Sequence, residues 1–243
     1  YRGISYIFSG LGLWTAKILN LNIFVGIYLA RLFNFAFFVL LGYFAIKKIP
    51  FGKMVLTLYM FMPMVIQQAT SVSPDAIINA VTIFFIAYVL YLTFKATQIS
   101  KKEIVMIFGM TIFMAVAKIV YLPLVGLLFL LICNKKLDKK KKLIVIIGSI
   151  LIGAIVGVSW YLYQSRYVDE REYVQLNNIN AVEQIKNIIS NPVGFINTLK
   201  NTTEQVGSQY LLGLVGNKLG WQSIQVPNVI IIITLFILLI SAW

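Results

Sequence analysis

Apolar runs of membrane length, separated by short lysine clusters, decide what this chain can fold into. A hydrocarbon core of ~30 Å takes roughly 17–25 helical residues per crossing, and inside it every backbone polar group must be satisfied within the helix itself. Runs that reach or approach that length are 23–46, 54–69, 76–94, 104–117, 119–132, 143–163 and 229–243. Hydrophobic residues make up 60% of the chain and charged ones only 12%, which excludes a soluble globular domain. The reading is an all-α, polytopic transmembrane helix bundle, with residues 1–243 forming a single transmembrane domain. The chain opens at Tyr1 and stops at Trp243 inside an apolar run, as a part of a longer protein would.

Charge sets the orientation. The net charge is +13, but the lysines fall between apolar runs rather than on a nucleic-acid-binding face, so nucleic acid is not expected as a partner. Lys47, Lys48 and Lys53 fill one connection, Lys95, Lys101 and Lys102 another, and Lys135, Lys136 and Lys139 to Lys142 a third. All three should be cytoplasmic. The parity holds only if residues 104–132 cross twice, which places Lys118 at the outer face and leaves two short crossings that fit a thin bilayer, or broken or partly submerged helices. The loop 164–226 is then extracytoplasmic. It carries Arg166, Arg171, Lys186, Lys200 and Lys218 against Asp169, Glu170, Glu172, Glu183 and Glu204, five charges against five, a net of zero. Within it, Asn180 and Glu183 resemble a capping box ahead of Val182, Ile185, Ile188 and Ile189 on one face, and Asn191-Pro192 restarts an amphipathic piece with Phe195, Ile196 and Leu199. Both pieces are expected to lie on the membrane surface as a lid.

Polar residues then gather near the outer ends of the crossings. Between two apolar runs stand Gln67, Gln68, Ser71, Ser73 and Asp75. Pro63 should kink the helix before them. Ser73-Pro74-Asp75 reads as a helix start with Ser73 as N-cap, a role that alone accounts for Asp75. Asn79 lies one turn deeper on the same face and suggests a polar cleft. Arg31 and Asn34 share a face of the run 23–46, with Arg31 on the order of 12 Å deep. An intramembrane arginine marks a functional site by default, although Arg31 equally suits a lock on loop carbonyls. Lys118, Tyr121 and Pro123 stand at the outer junction, where a lysine either snorkels to lipid headgroups or faces a phosphate. Residues 4–19 read as a first crossing or as a helix on the outer surface, the second favoured by Trp14. The chain has no His and one Cys, which removes histidine-based hydrolysis and any cysteine cluster.

Several spaced motifs agree in order: Ala30-Arg31-Leu32-Phe33-Asn34, Pro63-Met64 with Gln67-Gln68-Ala69, Ser73-Pro74-Asp75-Ala76, Lys118-x-x-Tyr121-x-Pro123-Leu124, and Leu219-Gly220-Trp221 with Pro227. Together they resemble, over nearly the whole chain, a bacterial family of predicted multi-pass membrane proteins, the domain of unknown function two-one-four-two. That family is similar, more loosely, to the GT-C class of integral membrane glycosyltransferases, which move a sugar from a polyprenyl-phosphate carrier to an acceptor on the outer face. The resemblance implies a GT-C-like bundle in the bacterial cytoplasmic membrane, with residues 4–19 as a surface helix of the first outer loop. The GT-C catalytic carboxylate belongs to that loop, at a position before Tyr1, so no catalytic residue transfers to this chain and Asp75 does not stand in the equivalent place.

The expected substrate-binding set is Arg31, Gln67, Gln68, Asp75, Asn79, Lys118 and Tyr121. Arg31 and Lys118 suit a phosphate; Asp75 and Asn79 suit sugar hydroxyls or a divalent ion, with the cofactor otherwise unknown. The expected partners are membrane lipid, a polyprenyl-phosphate sugar donor and a glycan acceptor. Two alternatives stand beside a transferase: a transporter or flippase of lipid-linked glycans, and a non-catalytic protein of envelope assembly.

Overall fold

The computed structural model describes residues 3–166, 180–220 and 223–241. Asp169, Glu170, Arg171, Glu172, Trp221 and Trp243, singled out above, lie outside the described residues. The fold is all-α apart from one short antiparallel ladder. After a 3-10 turn at Gly3–Tyr6 come α1 (Ile7–Ile18), α2 (Ile23–Lys48), α3 (Lys53–Met60), α4 (Pro63–Ala69), α5 (Pro74–Phe94), α6 (Lys101–Ala117), a 3-10 helix (Ile119–Cys133) and α7 (Lys139–Gln164). Then follow α8 (Ala181–Ser190), α9 (Pro192–Val215), β1 (Lys218–Leu219), β2 (Ile224–Gln225) and α10 (Asn228–Ser241). Three of these, α2, α5 and α7, are long and apolar enough to cross a membrane.

Side-chain caps set many of the boundaries. Asn22 accepts from the Val25 N–H, Ser73 from Asp75, Asp138 from Lys140, and Ser100 with Glu103 forms a reciprocal capping box. The kinked helix expected over 54–69 is instead two helices, α3 and α4, separated at Phe61 and Met62. Pro63 has no N–H to continue α3, and its fixed φ suits the first position of a new helix.

The run 119–132, too short for an ordinary α-helical crossing, is part of a different kind of helix. Wound as a 3-10 helix of 15 residues, it gains length: at ~2.0 Å per residue it extends ~30 Å.

Residues 4–19 depart from the surface helix that the resemblance implies. The buried face of α1 is Ser9, Gly12 and Ala16, and it runs antiparallel along α2. A Cβ on Gly12 would stand 2.6 Å from the Ala30 backbone, Gly26 approaches Ala16, and the Phe8 and Phe37 rings stack at 3.9 Å. Phe37 is roughly 21 Å along α2 from its start, so α1 follows α2 inward. Small residues let two helix backbones approach this closely, as in membrane helix pairs.

The helix at the centre is α5. Burial covers 67% of its apolar window, against 22% for α2 and 28% for α7, so α2 and α7 present most of their surface to lipid. Phe85, Val89 and Leu92 of α5 pack with Ile107, Met114, Leu128 and Val145 in the main core. The three lysine clusters come to one end of this bundle. Lys48 Nζ sits 3.6 Å from the centre of the Tyr91 ring, Lys141 donates to the Ile99 carbonyl, and Asn134 donates to the carbonyls of Leu92 and Ala96. The 70–75 turn and Lys118 meet at the opposite end.

In the loop beyond α7, α8 and α9 are capped by Asn180 and Asn191. Their apolar residues Val182, Ile185, Ile189, Ile196 and Leu199 are exposed. The second helix is longer than its amphipathic start suggests, 24 residues ending at Gly216 with φ 103°. Its end seats on the first turn of α4, where a Cβ at Gly216 would come within 2.6 Å of the Met64 nitrogen.

Candidate functional site

The site is built from the first turn of α5 and the junction between α6 and the 3-10 helix. Ser73 in extended conformation accepts from the Asp75 N–H, which fixes the first turn of α5 and turns the Asp75 carboxylate outward. Lys118 has φ −163° and ψ 102°, an extended conformation that breaks α6 from the next helix. Its Nζ meets Asp75 Oδ1 at 3.0 Å, with the two side chains 40% and 32% exposed. One turn deeper, the Tyr121 hydroxyl donates to Asn79 Oδ1 at 3.3 Å and Asn79 Nδ2 donates to Gln68 Oε1 at 2.8 Å. Helical spacing makes these two rungs of one ladder: Asp75 and Asn79 are i, i+4 on α5, and Lys118 and Tyr121 are i, i+3.

Arg31 and Asn34 belong to a separate arrangement beside the ladder. Arg31 Nε donates to the Thr70 carbonyl and Asn34 Nδ2 to the Ser71 carbonyl, both at 2.8 Å. These carbonyls follow the last turn of α4, where cations and donors are favoured. The pair therefore ties α2 to the turn that leads into Ser73 and Asp75. Arg31 is exposed, and its terminal guanidinium nitrogens have no partner among the described residues. Asn34 is fully buried, with its Oδ1 unpartnered. Gln67 is partly exposed; its carbonyl accepts from the Thr70 hydroxyl, and its side chain makes no hydrogen bond among the described residues.

Below the ladder a cavity of about 300 Å³ runs along α5. Asn79 and Tyr121 line its upper part, Ile83, Ile86 and Ala87 one wall, and Leu56 and Tyr59 the other, toward Ile49. From Asn79 to Ala87 it follows α5 for roughly 12 Å. Thr82 also lines it and has a buried hydroxyl with no partner. Of the seven expected residues, five make the ladder, two of these face the cavity, Arg31 holds the turn, and Gln67 stands beside it.

Tyr59 and Thr82 were not anticipated. Thr82 was detectable, because it lies three residues after Asn79 on the same α5 face. Tyr59 was not, because its place depends on where Pro63 ends α3.

A divalent cation takes six or more oxygen ligands or keeps several waters. Among the described residues no group of three His, Cys, Asp or Glu side chains comes together, and Asp75 already faces Lys118. The donor set here does not fit a metal held by protein carboxylates.

A family described as a predicted membrane protein, DUF2142, matches residues 1–243. The chain belongs to the DUF2142 family. The match spans every element described above, and with α2, α5 and α7 it makes this a membrane protein. No curated protein and no solved structure matches the chain.

Proposed function

We propose that this DUF2142 chain is a GT-C-like membrane glycosyltransferase that takes a sugar from a polyprenyl phosphate at the outer face of the bacterial cytoplasmic membrane, with the lysine-rich end inside. The observation that carries the reading is the stacking of two unlike environments along one buried helix. A polar ladder with one cation, Lys118, and a second cation, Arg31, on the turn beside it stands over an apolar cavity that follows α5 from Asn79 to Ala87. A lipid phosphate is built the same way, with a charged head, a sugar and an apolar tail.

In this reading the isoprenoid chain occupies the cavity between α3 and α5, and the phosphate meets Lys118 and the open guanidinium edge of Arg31. Gln68 and Asn79 offer both donors and acceptors to sugar hydroxyls. As the bond between the anomeric carbon and the phosphate oxygen breaks, the phosphate keeps the electron pair. Its growing charge is stabilised by fixed cations beside low-dielectric walls. The acceptor hydroxyl forms the new bond and gives up its proton to a base, which the resemblance places before Tyr1. Asp75 holds Lys118 in position. The partners are membrane lipid, the sugar donor and a glycan acceptor.

The test is transfer by the full-length purified protein in nanodiscs, supplied with polyprenyl-phosphate sugar and followed by product mass. Arg31→Ala and Lys118→Ala are each expected to lower turnover on the order of 100-fold, as loss of a charge-stabilising donor does. Unchanged turnover in both variants would remove the assignment. Movement of the sugar lipid across proteoliposomes with no change in mass would support a flippase instead.

A further inference from the structure

We infer that the extracytoplasmic loop carries a second binding site, for an anionic glycan, in the cleft between the end of α9 and the β1–β2 ladder. The cleft has a volume of about 640 Å³ and is lined by Gln209, Tyr210, Gly213, Asn217 and Lys218, with Met64 of α4 at its base and Gly220 at its edge. That is within the usual range for a small-molecule site. At Asn217 it meets a second hollow, of about 370 Å³, lined also by Gln225 and Asn228. The carboxamides thus follow one another along a trough rather than closing round a point.

The walls are fixed. Gly216, with φ 103°, closes α9 and brings its backbone against Met64. Lys218 pairs with Gln225 and Leu219 with Ile224 in the ladder, while the Val226 N–H donates to the Asn217 carbonyl. Val215, Val226 and Ile231 form a small buried core beneath. A cleft between anchored walls is present before any ligand arrives, which removes an ordering penalty from binding.

Gly213 points to an occupant. It sits inside α9, where glycine is a poor choice, and a Cβ built on it meets nothing within 4 Å. Among the described residues no packing neighbour requires a glycine there, as is also true of Gly10, Gly109 and Gly126; Gly213 differs from these in lining the cleft. Glycine is suited to the close approach of a ligand to backbone, and this one lines the cleft. Carboxamides both donate and accept, as sugar hydroxyls do, and Tyr210 offers a ring to the apolar face of a sugar. Lys218 is the only charged side chain among the described lining residues, so the glycan carries a carboxylate or phosphate. That this glycan is the acceptor rests on the transferase reading; its binding does not.

The experiment applies the full-length protein in nanodiscs to an array of short neutral, uronate-bearing and phosphorylated oligosaccharides, with the same chains attached to polyprenyl lipid in a parallel set. Wild type is retained on anionic spots, at least tenfold above the neutral ones. Lys218→Gln reduces that preference to about twofold or less. Gly213→Leu, which replaces glycine with a better helix former in open space, abolishes retention without lowering the thermal unfolding midpoint. Retention on the lipid-free set marks an acceptor-type chain, and retention on the lipid-linked set alone marks a donor headgroup. No retention by wild type, or equal retention by Gly213→Leu, overturns the site. Array binding without sugar transfer overturns the transferase reading and leaves the cleft, whereas transfer that is normal in Gly213→Leu overturns only the assignment of the cleft's glycan as the acceptor.

Discussion

Magnitudes separate the roles of the polar residues at the ladder. The side chains of the Asp75–Lys118 pair are 32% and 40% exposed, and such exposed pairs contribute only about 0–1 kcal/mol to stability. Lys118→Met should therefore unfold within about 1 kcal/mol of wild type in detergent melts, while transfer falls steeply. A large loss of stability would show that the pair is structural. Asn34 is the converse: it is fully buried, and its amide holds the Ser71 carbonyl. Asn34→Leu should destabilise by about 1 kcal/mol, the net value of one such bond, measurable as a lowered midpoint. The i, i+3 spacing of Arg31 and Asn34, and the capping role of Ser73, were legible because they depend on neighbours in the chain. The partners of Lys118 and Asn79 were not, because they come from residues more than 40 positions away for Lys118–Asp75 and Tyr121–Asn79.

At the scale of elements, the decisive contact is between α1 and α2. Gly12 lies against the Ala30 backbone, whereas nothing stands within 4 Å of a Cβ on Gly10. Gly12→Ala should force the pair apart and cost about 1–3 kcal/mol, as overpacking does. Gly10→Ala should be neutral or slightly stabilising, and thermal melts of the two variants check the contrast. Both glycines look alike in sequence, and only the pairing of the helices tells them apart. The same limit hid the 3-10 helix of Ile119–Cys133. Its residues are apolar all round, so no face distinguishes one helical period from another. Pro63 was informative about a break in the backbone, but the α3–α4 separation is larger than the kink its position suggests.

For the whole molecule, the bundle has a lysine end and a ladder end, and this was the most legible feature of all. Connections between apolar runs must alternate sides if the runs cross, so lysine clusters in every second connection share one side, and the contacts of Lys48, Asn134 and Lys141 bring the three clusters together. Cys133 is exposed at that end and is the one cysteine of these 243 residues, so a Cys133→Ser variant supplies the labelling background. A membrane-impermeant maleimide should label it in inverted vesicles and not in intact cells; labelling from outside would reverse the orientation. The central claim, that a lipid phosphate lies with its head at the ladder and its tail along α5, is tested most directly by native mass spectrometry of the full-length protein with polyprenyl phosphate. Wild type should carry one bound lipid. Arg31→Ala, which removes a head contact, and Ile86→Trp, which fills the cavity, should each lower occupancy about tenfold, equivalent to ~1.4 kcal/mol. Equal occupancy in all three proteins would contradict it.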